Sequence, residues 1–209
     1  MCNIVRQMPC IPKPQLRPGG PRECLLPGVR FDDSNGESNP MSSPFQPKPE
    51  ASFQADAAVP DAIPDLLAFI LERFHAVHRA ELPGLIELAR KVESEQAGHA
   101  GLPDKLADWL EAMTQSLESH LQKEEQILFP MMAGGGHPMI AAPIGVMRAE
   151  HEDHEVNLDK LAKLTNGLRP PEDAGPAWRA LYAGLAKFVN DLNWHIYVEN
   201  EALFPRFGA

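Results

Sequence analysis

From about residue 61 the chain repeats apolar residues at alternating three- and four-residue steps, the period of a helix with one buried stripe. Four such stretches are separated by breaker-rich connections. The first runs from Pro60-Asp61 to about Ala97 with the stripe Leu67, Leu71, His75, His78, Leu82, Leu85, and its internal Pro83-Gly84 predicts a kink. The second, from about Pro103 to Met132, carries Leu106, Leu110, Met113, Leu117, His120, Glu124, Leu128 and Met131, and ends at Gly134-Gly135-Gly136-His137-Pro138. The third, from about Ile140 to Asn166, carries Ile140, Ile144, Met147, His151, His154, Leu158 and Leu161, closed by Gly167 and Pro170-Pro171. The fourth, from about Glu172 to Phe204, carries Trp178, Leu181, Leu185, Phe188, Leu192, His195, Glu199 and Ala202. No alternating strand pattern interrupts them, so the expected fold is all-α, and short connections between long helices predict an up-down-up-down four-helix bundle.

Each stripe is broken by residues that do not belong in an apolar core. His120 and Glu124, and again His195 and Glu199, stand four apart and therefore share a helix face. A buried, unpaired carboxylate costs several kcal/mol or neutralises itself, whereas a cation held by imidazole and carboxylate removes that penalty. Helix three contributes His151 or His154 and helix one His75 or His78, and periodicity does not choose within either pair. Counted from the end where helices one and three begin, His75, His120, His151 and His195 lie roughly 15 to 21 Å deep, in one layer. A lone histidine on an apolar face is most simply a hydrogen-bonded core residue; four at one depth, two with glutamates on the same face, indicate a metal site. His99 and His137 fall in or near loops and are expected to be solvated, as is most of the run Lys123-Glu124-Glu125 apart from Glu124. Trp109 and Trp178 read as core, and Trp194 as cover for the site.

The remaining composition narrows the picture. Residues 1–58 are dense in Pro, Gly, Ser and Asn with no apolar period, which predicts a disordered tail ahead of a helical domain over 59–209. This tail lacks the pattern of a secretory signal, and no apolar run reaches the roughly 20 residues of a membrane span, so the expected setting is cytoplasmic, away from membranes. Met41-Ser42-Ser43-Pro44 offers a second start, which would make the residues before it an over-extended reading frame. The three cysteines, Cys2, Cys10 and Cys24, all lie in the tail, so neither thiolates nor disulfides support the bundle. A net charge of −10 without a basic stripe argues against nucleic acid.

Nitrogen and oxygen donors without sulfur suit iron, manganese or zinc. Two carboxylates placed to bridge suggest two metals. Four imidazoles, two bridging carboxylates and an oxo or hydroxo bridge would leave roughly two of about twelve six-coordinate positions vacant, the open arrangement of reactive metal sites. A ferritin-like carboxylate centre needs Glu-x-x-His on two helices, and only Glu72-Arg73-Phe74-His75 reads that way.

The series Phe74-His75-Ala76-Val77-His78-Arg79, Leu82-Pro83, Lys123-Glu124-Glu125-Gln126-Ile127-Leu128-Phe129-Pro130, Glu150-His151-Glu152 and Glu199-Asn200-Glu201-Ala202-Leu203-Phe204-Pro205-Arg206 resembles the hemerythrin-like domain of the Repair of Iron Centers di-iron proteins, over about residues 62 to 207. The resemblance implies a four-helix bundle holding two non-haem iron ions, with His75, rather than His78, and His120, His151 and His195 as terminal ligands and Glu124 and Glu199 bridging; on their stripes alone His78 and His154 fit supporting or pocket roles as well as ligation, and Glu155 is a further candidate to support the ligands. It implies protection against nitrosative or oxidative stress by repair of damaged iron-sulfur clusters, reduction of nitric oxide, or both. Its partners would be a small diatomic ligand (nitric oxide or oxygen), damaged iron-sulfur proteins and an external electron donor, since no flavin or nicotinamide motif is present. The protein would act as a monomer or homodimer. The alternative is reversible oxygen binding or sensing; oxygen-carrying hemerythrins typically show His-x-x-x-His on the third helix and aspartate five residues after the last histidine. Here the third helix reads His151-x-x-x-Glu155 and the fourth His195-x-x-x-Glu199, closer to the repair family. Many repair proteins also carry a small domain with adjacent cysteines; this chain has no Cys-Cys pair, and the resemblance is to the bundle.

Overall fold

Four helical rods follow from the four apolar stripes in a computed structural model that describes residues 58–103 and 105–208. The expected tail lies outside the described residues but for residue 58, and so do its cysteines and the Met41 start. Rod α1 spans residues 63–95, α2 residues 106–133, α3 Ala141–Leu164 and α4 residues 176–207. There is no strand among the described residues. The rods start later than the sequence suggests: α2 after Lys105, held at a φ of 56°, and α4 at Pro176, whose fixed φ and missing N–H suit a first helical turn. Helix α1 continues across Pro83, which sits on the exposed face inside Ala76–Glu95.

The departures from α geometry fall elsewhere. Wide π turns occur at Leu71–His75 in α1, Glu124–Leu128 in α2 and Val198–Leu203 in α4. Each inserts one extra residue into the helical repeat and so shifts the buried stripe beyond it. In α2 the stripe passes to Leu128, Phe129 and Met132 rather than to Met131, and in α4 to Leu203 and Phe204 rather than to Ala202. Two of these turns run into Leu-Phe-Pro, at Pro130 and Pro205. A proline inside a helix loses one backbone bond and crowds the carbonyl four residues back, here Gln126 and Glu201, both within the widened turn.

Ion pairs fix the neighbours and their antiparallel sense. Arg79 meets Glu118 while Arg90 meets Glu111 across α1 and α2, and Arg73 meets Asp191 while Glu81 meets Lys187 across α1 and α4. On α3, Glu150 faces His120 of α2, and Arg148 faces Asn200 of α4. Helices α1 and α3 are therefore diagonal, and the bundle is up-down-up-down. Its apolar interior falls into two clusters. One contains Leu66, Ile70, Phe74, Phe129, Ile144 and Phe204; the other contains Leu82, Leu110, Leu117, Leu158, Trp178 and Phe188. Along every helix the change from one to the other falls within a layer of buried histidines and glutamates.

Candidate metal centre

That polar layer consists of His75 and His78 on α1, His120 and Glu124 on α2, His151 and His154 on α3, and His195 and Glu199 on α4, all buried. Four Nε2 atoms converge in two pairs: His75 Nε2 lies 3.2 Å from His195 Nε2, and His120 Nε2 lies 3.2 Å from His151 Nε2. The carboxylates tie the pairs together. Glu124 Oε2 lies 3.4 Å from His75 Nε2 and 3.5 Å from His120 Nε2. Glu199 places Oε1 3.1 Å from His195 Nε2 and Oε2 3.1 Å from His151 Nε2. Two overlapping groups result, His75/Glu124/His195/Glu199 and His120/Glu124/His151/Glu199, each offering one ligand atom per residue within 4.8 Å of the others.

The outer ring nitrogens point the inner ones. His75 Nδ1 donates to Glu125 Oε1 at 2.8 Å, His120 Nδ1 to Glu150 Oε2 at 3.0 Å, and His151 Nδ1 to Asn200 Oδ1 at 3.1 Å. Because a carboxylate or amide oxygen only accepts, the proton belongs on Nδ1, which leaves Nε2 with a bare lone pair facing inward, the tautomer a metal requires. His195 Nδ1 has no such partner. The acceptors are themselves anchored: Arg79 donates to Glu125 and Glu118, Lys123 to Glu150, and Arg148 to Asn200. Glu125, Glu150 and Asn200 are the residues that periodicity misses, and Glu125 is not a solvated bystander. Each is the chain neighbour of a core-facing site residue, about 100° round the helix, which puts it at the seam with the next helix; that adjacency is the signal that could have found them.

Burial disfavours charge at three of the imidazoles, and the two carboxylates are held in opposite directions. Burial holds His120 down to about 2, and burial with the charge of His195 does the same to His78, also about 2; burial lowers His154 to about 4. Burial and the Glu199 charge push the Glu124 carboxyl well above its usual range. Burial opposes ionisation of Glu199 too, but His195 and His151 overcome it and hold that carboxyl well below its usual range. Both Glu124 oxygens lack a hydrogen-bond partner, as does Glu199 Oε2, whose approach to His151 lacks hydrogen-bonding geometry. Fully buried carboxylate oxygens left without donors, ringed by bare imidazole nitrogens, are the donor set a cation completes. The residues fit a buried metal site.

Among the other sequence candidates, His78 and His154 are buried beside the two groups without joining them. Glu155 is exposed and stands apart from the cluster. His99 is bound rather than solvated, its Nε2 lying 3.2 Å from Asp173 and its ring edge-on to Trp178. Trp178 is core, while Trp109 and Trp194 are half-buried. Phe74 stacks on His195, Phe129 on His75 and Phe204 on His151, which walls the centre from solvent at one end. No helix among the described residues is long and apolar enough to cross a membrane.

Comparison with known proteins places the same residues in context. The Hemerythrin HHE cation binding domain family matches residues 67–207, a span that contains every residue of the polar layer. A protein of Pectobacterium atrosepticum named iron-sulfur cluster repair protein YtfE is 47% identical over 142 residues, 68% of this chain and 64% of that one. Its namesake in Edwardsiella ictaluri is 45% identical over the same extent, and that of Dickeya chrysanthemi is 42% identical over 161 residues, 77% of this chain and 71% of the relative. The chain thus spans about two thirds of the length of the curated relatives it matches.

Proposed function

Because this chain belongs to the hemerythrin HHE cation-binding domain family, we propose that its two overlapping groups hold a pair of non-haem iron ions, with His75, His120, His151 and His195 as terminal ligands and Glu124 and Glu199 as bridges. The observation that carries this reading is the sharing of both glutamates by both histidine pairs: one ion would leave a pair of imidazoles idle, whereas two ions use every donor. Residues 59–209 form the domain that does this work. It protects against nitrosative or oxidative stress by repairing damaged iron-sulfur clusters, the activity in the relatives' names, by reducing nitric oxide, or by both.

The iron pair would supply one-electron redox changes and open coordination positions for a diatomic ligand. The protein's part is positional. Glu125, Glu150 and Asn200 hold three ligand rings in the metal-binding tautomer, and Arg79, Lys123 and Arg148 hold those acceptors in turn. Phe74, Phe129 and Phe204 exclude water from one end, so the charge on the two carboxylates acts in a low-dielectric surround. Electrons come from an external donor, and the damaged iron-sulfur protein is the partner for repair.

Metal analysis of anaerobically purified protein, followed by stopped-flow mixing of the reduced form with nitric oxide, tests this reading. Two irons per chain and a rapid nitrosyl absorbance yielding nitrous oxide are expected. One zinc or no metal overturns the di-iron assignment, and two irons that bind oxygen reversibly without reacting with nitric oxide replace the activity with oxygen carriage.

A further inference from the structure

The di-iron reading uses four of the six histidines in the polar layer and leaves two buried imidazoles unexplained. His78 is 2% exposed and His154 1%, and His78 Nε2 and both ring nitrogens of His154 have no hydrogen-bond partner. Each belongs to one half of the centre: the His78 ring lies 5.5 Å from that of His195, and the His154 ring 5.1 Å from that of His120. Neither joins either group of mutually close ligand atoms.

Helix direction decides which side they occupy. On α2 and α4 the glutamates come four residues after the histidines, toward the end where α1 and α3 begin. On α1 and α3, which run the other way, His78 and His154 come three residues after His75 and His151, toward the opposite end. At the α-helical rise these displacements are about 6 Å one way and about 4.5 Å the other. Glu124 and Glu199 therefore cover one side of the layer of Nε2 atoms, and His78 and His154 cover the other. Beyond His78 lies Phe188, edge-on at 5.6 Å between ring centres. A neutral imidazole carries one N–H, which on His154 lacks an acceptor at either nitrogen and on His78 lacks one when it sits on Nε2; such a buried donor is held ready for an acceptor that arrives with a ligand.

Resting on the di-iron reading, we propose that His78 and His154 form the pocket for a small exogenous ligand of the centre, a diatomic or small linear anion, and donate hydrogen bonds to it from the side opposite Glu124 and Glu199. They are binding residues for that ligand and do not ligate the metal.

Azide is the probe, titrated by its charge-transfer absorbance into the full chain loaded with ferric iron, with iron counted in every sample. His78→Leu and His154→Leu are compared with wild type, and His78→Gln and His154→Gln restore a donor. Two irons in every protein are expected, with azide binding weakened about tenfold in at least one leucine variant and partly recovered by glutamine. In the wild type, the stretching frequency of bound azide is expected to shift when exchangeable protons are replaced by deuterium, a readout independent of whether any variant folds. Unchanged azide affinity in both leucine variants at full iron overturns the inference, as does an unshifted azide stretch in deuterated buffer. Iron lost from a folded leucine variant also overturns it, by making that histidine a ligand. Fewer than two irons in the wild type overturns the di-iron reading beneath it, and the iron count separates that failure from the others.

Discussion

His75 uses both of its ring nitrogens, and the two uses depend on each other. Nδ1 donates to Glu125, so Nε2 faces Glu124 and His195 as an acceptor. Removing the outer partner should therefore weaken the centre without touching it: Glu125→Ala is expected to lower metal affinity by about 10- to 100-fold, read by competition with a chelator, while Glu125→Gln, which keeps an accepting oxygen, recovers part of the loss. Glu124→Ala removes an oxygen that both histidine pairs share, and its iron content should fall from two per chain toward one or none. At the seam above, the side-chain bond from Arg79 holds Glu118 below its ordinary carboxylate value of 4.5. A depressed folded value means the stabilisation is complete above the unfolded value and disappears as pH falls through the folded one. The stability gap between wild type and Glu118→Gln is thus expected at neutral pH and should close on acidification below about pH 4, measured by urea unfolding across that range.

At the scale of the element, α-helical arithmetic places His120 over Glu124 and His195 over Glu199, but it does not foresee that three of the four rods widen at the layer of histidines and glutamates. The extra residue in Glu124–Leu128 explains why Phe129 and Met132, rather than Met131, reach the core. Deleting the exposed Gln126 should return that turn to α geometry with the downstream stripe still facing inward. Helicity by circular dichroism is expected to survive, while metal content falls because Glu124 loses the turn that sets its carboxylate. Two glycines make a contrasting pair. A methyl group on Gly145, inside α3, would meet nothing within 4 Å, so Gly145→Ala should stabilise by about 0.5–1 kcal/mol in thermal unfolding. On Gly184, inside α4, it would lie 2.5 Å from Leu85 Cδ2, so this glycine marks a close approach of α4 to α1 and its alanine variant should gain less.

Over the whole molecule, a layer of histidines and glutamates divides one bundle into two apolar clusters, and a cation held there would make that layer tolerable. Stripping the metal with a chelator is expected to lower the melting temperature by about 5–10 °C, and restoring iron should recover it, because ligand binding to the folded state alone adds directly to stability. The helical stripes, the antiparallel order and the presence of His120, Glu124, His195 and Glu199 on inward faces were legible from residue spacing, since a helix converts spacing into direction. Spacing says nothing of what a side chain meets on another helix. The sharing of Glu124 and Glu199 by both histidine pairs, and the place of His75 and His151 rather than His78 and His154 in the two groups, agree with what the family resemblance implied and residue spacing left open; the exposure of Glu155 and the Nδ1 bonds to Glu125, Glu150 and Asn200 were decided only by tertiary structure. Each depends on the rotation and axial offset of one rod against its neighbour, and those are set jointly by packing, by interhelical ion pairs and by π turns, none of which a single stretch of sequence contains.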